Sequence, residues 1–165
     1  MEECKGFSLN GIELQKYQPN RYPLLMIDYI TEVIPGKIAK GYKNLTNNEW
    51  FFPKHFEGHP NMPGCLQLEA MAQMLTTAIT TLPGLEGKPM YALKHLVKYH
   101  QEVMPGDQLC LEAQVLSYKR GVCHGVCYGY VGEKMVCEAD MTVAVPDIFK
   151  QYIPKPRHGG GQAVG

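Results

Sequence analysis

His55-Phe56-Glu57-Gly58-His59-Pro60-Asn61-Met62-Pro63-Gly64 runs straight into Cys65-Leu66-Gln67-Leu68-Glu69-Ala70-Met71-Ala72-Gln73. The first half cannot be helical, because Gly58, Pro60, Pro63 and Gly64 interrupt it. The second half opens a very apolar helix. Pro63 suits a first turn, where its missing N–H costs nothing. The apolar run carries on to about Leu82, and Pro83-Gly84 should stop it.

Around this helix the chain reads as strands. Leu24 to Ile34 is rich in β-branched and aromatic residues and ends at the turn Pro35-Gly36-Lys37. Ile38 to Leu45 is its partner. After the helix, Tyr91 to Val103 is a long extended stretch. Leu109, Leu111, Ala113 and Val115 then alternate with Gln108, Cys110, Glu112 and Gln114, the pattern of a sheet with one buried face. Val122 to Val131 and Lys134 to Val145 pair across Gly132-Glu133. Two strands, one long helix and about four more strands give an α+β fold, a curved antiparallel sheet wrapped around a central helix. Residues 1–10 read as a loose N-terminus, 11–146 as a single domain, and 147–165 as a flexible tail with Pro154, Pro156 and Gly159 to Gly161.

Composition excludes several functions. With 165 residues the chain can close one core, and 16 basic against 16 acidic residues provide no field for nucleic acid or an anionic membrane. No apolar run approaches the roughly 20 residues that span a bilayer, and MEECKGFSLNG has no signal-peptide core. A cytoplasmic setting follows. Cys4, Cys65, Cys110, Cys123, Cys127 and Cys137 lack zinc or thioredoxin spacing and read as free thiols.

The helix is where chemistry enters. At about 100° per residue, Glu69, Gln73, Thr76 and Thr80 share one narrow sector with Cys65, and apolar side chains fill the rest. A helix apolar nearly all round should be buried, so its polar line must meet a partner or a cavity. The plainer alternative is that Gln73 and the threonines satisfy local backbone while Glu69 finds a salt bridge. His55, held in a stiff loop beside that helix, favours proton transfer instead. The N–H groups of Gly64 and Cys65 stand at the positive end of the helix and suit a developing oxyanion. His59 and Glu57 raise a metal site, but His-x-x-x-His binds well on a helix, which this loop forbids. No metal is expected.

The His-Phe-x-Gly-His-Pro-x-Met-Pro-Gly loop with Leu-x-Leu-Glu-Ala-Met-Ala-Gln resembles the 3-hydroxyacyl-acyl carrier protein dehydratases of the Z type (FabZ-like), members of the hot-dog fold. Asn20-Arg21-Tyr22-Pro23-Leu24-Leu25-Met26-Ile27-Asp28 looks like the family's His-Arg-Tyr-Pro-Phe-Leu-Leu-Val-Asp segment, and Val103-Met104-Pro105-Gly106-Asp107 like its Val-Val-Pro-Gly-Asp turn. The likeness spans residues 11 to 146. It implies a catalytic His55, a catalytic Glu69 and an oxyanion-binding amide at Gly64, with Cys65 and Gln73 lining the substrate. The A-type relatives, which also isomerise, usually carry Asp at the carboxylate position. Pro63-Gly64-Cys65-Leu66 is reminiscent of that type, and Glu69 favours the Z type.

The resemblance implies removal of water from a (3R)-hydroxyacyl thioester to give the trans-2-enoyl product. The acyl group is carried on the phosphopantetheine of acyl carrier protein, and no cofactor of the enzyme's own is needed. It also implies a homodimer, with a trimer of dimers as the further assembly, whose sites draw histidine and carboxylate from different protomers. Lys98-Tyr99-His100-Gln101-Glu102 stands where the family usually has Arg-Phe-Arg-Arg/Lys-Pro, so a coenzyme A thioester or another pathway's carrier fits as well. The alternatives are a hot-dog thioesterase and a non-catalytic acyl-binding subunit of a synthase.

Overall fold

The computed structural model describes residues 5–154. Along the chain lie strand β1 (Phe7–Leu9), a single helical turn α1 (Gly11–Leu14), strands β2 (Tyr29–Ile34) and β3 (Ile38–Asn44), and the long helix α2 (Gly64–Thr80). Strands β4 (Tyr91–Tyr99), β5 (Gln108–Lys119), β6 (Val122–Val131) and β7 (Lys134–Ala144) follow, then a short helix α3 (Pro146–Phe149) and a 3-10 turn at Lys150–Tyr152. The strands form one antiparallel sheet in the order β1-β2-β3-β5-β6-β7-β4. Helix α2 touches every strand from β2 to β7, so the sheet wraps it as the hot-dog arrangement requires.

Alternation decides which face of each strand meets the helix. Leu109, Leu111 and Ala113 of β5 are buried, as are Cys123, Cys127, Val136 and Ala139 on β6 and β7. They close on Met71, Met74, Leu75, Ala78 and Ile79 of α2. Two strand glycines mark where the helix comes closest. A Cβ at Gly125 would lie 2.5 Å from Leu75 Cδ1, and one at Gly41 would meet the carbonyl of Tyr29 and, at 3.1 Å, Met74 Cε.

Several boundaries differ from the sequence reading. Residues 7–9 are not loose: Phe7–Leu9 pairs with β2, and Leu9 is buried. Asn10 then caps α1, its Oδ1 accepting from Ile12 and Glu13 N–H while Glu13 Oε2 accepts from Asn10 N–H, a reciprocal capping box. Strand β2 begins at Tyr29 rather than Leu24, because Leu24 and Leu25 donate their N–H groups back to Arg21 O and turn the chain. The stretch 147–154 is ordered into α3 and the 3-10 turn, with Arg120 lying over the Tyr152 ring at 5.3 Å. Residues 1–4, with Cys4, and residues 155–165, with Pro156 and Gly159 to Gly161, lie outside the described residues.

Helix α2 stops at Thr80, two residues short of Leu82. The Thr81 N–H closes onto Thr77 O and Ile79 O, and Gly84 takes a positive φ of 81° to leave the helix. Strand β4 forms one sheet edge. Its β7 side is paired, while its other side faces no strand among the described residues, and Tyr91, Leu93, Leu96 and Tyr99 are exposed along it.

Five thiols, those of Cys65, Cys110, Cys123, Cys127 and Cys137, are free. Burial pushes Cys123 and Cys137 up to about 12 from an ordinary 9.0 and raises Cys127 as well. The folded state therefore holds these protons longer than the unfolded chain does. Stability is fully present below pH 9 and falls as pH rises from there toward 12, by about 1.4 kcal/mol per pH unit for each thiol. Urea melts at pH 7.5, 9 and 10 should show a flat first interval and a steep second one. Equal stability at pH 7.5 and 10 would contradict the burial of these thiols.

Candidate active site

His55 sits half-buried in the loop before α2, and backbone bonds fix its place. Its carbonyl accepts from Asn61 N–H at 2.8 Å, and Phe56 and His59 exchange N–H···O bonds at 3.0 Å across Gly58, whose φ of 75° only glycine adopts readily. The imidazole stacks on Phe56 with ring centroids 4.2 Å apart. Its Nδ1 lies 3.1 Å from Asn61 O. A carbonyl only accepts, so Nδ1 carries the hydrogen and Nε2 keeps a free lone pair. That is the tautomer a general base needs.

The loop leaves this turn anchored. Met62 N–H donates to Val103 O at 2.7 Å, His59 Nε2 lies 2.9 Å from the Glu102 carboxylate, and buried Gln67 donates to Met62 O at 3.0 Å. His59 thus pairs with Glu102 rather than with Glu57. Helix α2 then starts with no side chain on its N-terminus. The N–H groups of Leu66 and Gln67 bond Pro63 O, which leaves Gly64 and Cys65 N–H outside the ladder at the positive helix end. Tyr99 on β4 donates its hydroxyl to Gly64 O at 2.7 Å, and a Cβ at position 64 would lie 2.8 Å from its ring. A side chain there would displace the Tyr99 ring. Cys65 is exposed beside it.

Glu69 lies one turn further on. It is half-buried, less enclosed than a helix buried all round suggests, because it borders a cavity of about 120 Å³ with Asn20, Gln73, Thr76, Lys88 and Val143. Its Oε1 accepts from Asn20 Nδ2 at 2.9 Å and from Gln73 Nε2 at 2.7 Å. No salt bridge holds it among the described residues. His55 is not among the residues that line this cavity.

Gln73 lines this cavity and is also tied into the fold. Its Oε1 accepts from Met26 N–H at 2.8 Å, and its Nε2 donates to Leu24 O at 2.6 Å as well as to Glu69. The amide thereby fixes the 24–26 segment to the helix. Gln18 does the same one turn on, reaching Gln73 O, Thr76 Oγ1 and Thr77 Oγ1 at 2.8–2.9 Å. Arg21 binds three carbonyls, those of Gln15, Gln18 and Asn20. Asn20, Gln18 and Arg21 were not marked by sequence, because nothing in local periodicity shows that a distant loop crosses the polar sector of α2.

Comparison with known proteins follows this geometry. A family model described as a FabA-like domain matches residues 18–140. The protein named 3-hydroxyacyl-[acyl-carrier-protein] dehydratase FabZ of Desulforamulus reducens is 40% identical over 133 residues, 80% of this chain and 94% of that one. Its namesake from Clostridioides difficile is 39% identical over 138 residues, 83% of this chain and 97% of its own. Among solved structures, the dehydratase heterocomplex ApeI:P of Xenorhabdus doucetiae superposes with a TM-score of 0.71 at 13% identity, covering 86% of this chain and 97% of that one. The Campylobacter jejuni protein Cj0977 gives 0.64 at 17% identity, over 81% and 87%. At such identities the structures establish a shared fold.

Gln73→Leu should separate support from contact. Removing the amide leaves the Met26 N–H buried without a partner, at a cost of about 1–3 kcal/mol. Urea unfolding should show that loss. A variant as stable as the parent would assign the amide to substrate instead.

Proposed function

The chain belongs to the FabA-like family and, within it, to the 3-hydroxyacyl-[acyl-carrier-protein] dehydratases, and on that premise we propose how its own residues remove water. The enzyme is a hydro-lyase of fatty acid biosynthesis. The observation that carries the assignment of roles is the Nδ1–H···O bond from His55 to Asn61, which holds the imidazole as a base at Nε2.

The steps follow from charge. The thioester carbonyl of a (3R)-hydroxyacyl substrate lies against the Gly64 N–H, and the enolate-like charge that forms there is stabilised by an unpaired donor at a helix N-terminus. His55 Nε2 takes the C2 proton. The C2–H electron pair becomes the new double bond, the C3–O bond breaks, and Glu69 supplies the proton that turns the leaving hydroxyl into water. Imidazolium and carboxylate then return to their starting forms by proton exchange with solvent. The elimination is redox-neutral and every proton is accounted for, so the reaction as written draws on no metal or redox group. Cys65, exposed beside Gly64, lines the entry.

The cavity that Glu69 lines does not include His55 of the same chain, and β4 offers an unpaired edge with Tyr91, Leu93 and Leu96 exposed. Both observations support a homodimer joined along β4, in which each site takes its base from one copy and its carboxylate from the other. Acyl carrier protein is the partner that delivers the substrate on its phosphopantetheine arm. At the segment that departs from the family pattern, Lys98 and His100 both pair with Glu138, at 3.1 and 3.4 Å. Carrier docking here therefore relies little on those two side chains. The free thiols support a reducing, cytoplasmic setting.

Hydration of a trans-2-enoyl thioester, on carrier protein and on coenzyme A, tests the reaction in reverse, with mass spectrometry following the gain of one water. Wild type should add water and His55→Ala should not. Release of free thiol without hydration would make the protein a thioesterase. Mixing His55→Ala with Glu69→Gln tests the shared site. Random re-pairing of two inactive variants should restore about a quarter of wild-type activity, because half of the dimers then hold one intact site. No recovery from re-paired dimers would place both residues of a site on one chain.

A further inference from the structure

The orientation of the Gln73 amide selects one oxygen of Glu69 for proton transfer. Met26 N–H can only donate, and it donates to Gln73 Oε1. The other end of the amide is therefore NH2, with no freedom to flip. One of its hydrogens goes to Leu24 O and the other to Glu69 Oε1. Asn20 Nδ2 adds a second donor to the same oxygen at 2.9 Å. Glu69 Oε1 is thus engaged by two N–H groups, whereas Oε2 has no partner among the described residues.

We propose that Asn20 and Gln73 are positioning residues that keep Glu69 Oε1 an acceptor throughout the reaction, so that the proton leaves from and returns to Oε2. The inference rests on the reading of Glu69 as the proton carrier and adds which atom acts and what aims it. Asn20 can do this because its backbone is held. Arg21 Nη1 donates to Asn20 O at 2.8 Å and to Gln18 O at 2.6 Å, while Nη2 donates to Gln15 O at 2.9 Å. That guanidinium places one end of the loop, and the Gln73 amide places the other at Leu24 and Met26.

The two donors share a property that suits the task. Neither amide titrates, so both remain donors to Oε1 whichever form Glu69 takes, and they hold the carboxylate more strongly than the acid. Lys88 is the other charged side chain lining the cavity, and it faces Asp147 at 4.0 Å. Arg21 is the nearest further charge by sequence, committed to three carbonyls. A carboxylate with fixed, non-ionising donors on one oxygen keeps a single rotamer through the proton cycle.

The test is the pH–rate profile of the full-length enzyme, read as kcat and KM for hydration of the enoyl-carrier thioester. Asn20→Asp replaces a donor by a like charge of the same shape. Its kcat at pH 7 should fall about tenfold with KM little changed, and the acidic limb of the profile should move up by about one pH unit. Asn20→Ala, which removes the donor without adding charge, should move the limb the same way by less, and it decides the matter if the aspartate variant fails to fold. Either variant, folded, with the wild-type profile and kcat would overturn the positioning role. Glu69→Gln separates the two layers of the argument. If it is inactive, the Asn20 results bear on the positioning role alone; if it retains turnover, the reading of Glu69 itself is wrong.

Discussion

A helix enclosed by sheet on most of its surface has to satisfy its polar side chains inside the protein, and in α2 the amide of Gln73 meets the largest share of that demand. It accepts from Met26 N–H and donates to Leu24 O and Glu69 Oε1. Each partner would otherwise be a polar group at the margin of an apolar core, where an unmet hydrogen bond costs more than a formed one returns. The consequences spread outward. The 20–28 segment is drawn onto the helix instead of extending β2, and the carboxylate is presented to a cavity with one oxygen already occupied. Gln18, Thr76 and Thr77 continue the polar seam below it.

The parts of this fold that were legible in sequence are those governed by short-range periodicity. Alternation in Gln108–Val115 and the Pro63 to Pro83 span of the helix depend on neighbours two to four positions apart; the first falls within β5, which runs on to Lys119, and the second matches α2 within two or three residues. The errors have one kind of cause. Leu24 to Asp28 carries strand-forming residues, yet its N–H groups bond Arg21 O and the Gln73 side chain, a partner 47 positions from Met26. Tertiary demand overrode propensity there. The Phe7–Leu9 strand was missed for a different reason. Three residues are too few to show a period, although the Asn10-x-x-Glu13 capping box just after them was readable.

The site divides along the same line. His55 and Glu69 could be marked because stiff loop residues and a carboxylate on an apolar helix are local signals. That Glu69 lines a cavity which His55 does not, and that Asn20 reaches Glu69, are facts of three-dimensional placement that no window of sequence contains. The environment of Glu69 also departs from a simple rule. The plainer alternative gave Glu69 a salt bridge, yet the side chain meets two neutral amides at a cavity wall.

Tyr99 ties these features to the sheet edge. It ends β4, the strand whose outer side is open, and its hydroxyl bonds the carbonyl of Gly64 while its ring lies where any side chain at 64 would have to go. Two constraints therefore meet at one residue. Glycine at 64 lets the ring pack against the helix start, and the ring in turn holds the first peptide of α2, whose neighbouring N–H groups point free. Whatever covers the open edge of β4 rests on the strand that carries this ring. The geometry of the helix N-terminus and the covering of the edge are thus mechanically joined. An exposed apolar edge strand, which in isolation is a liability for a sheet, is here the same element that holds the first peptide of α2.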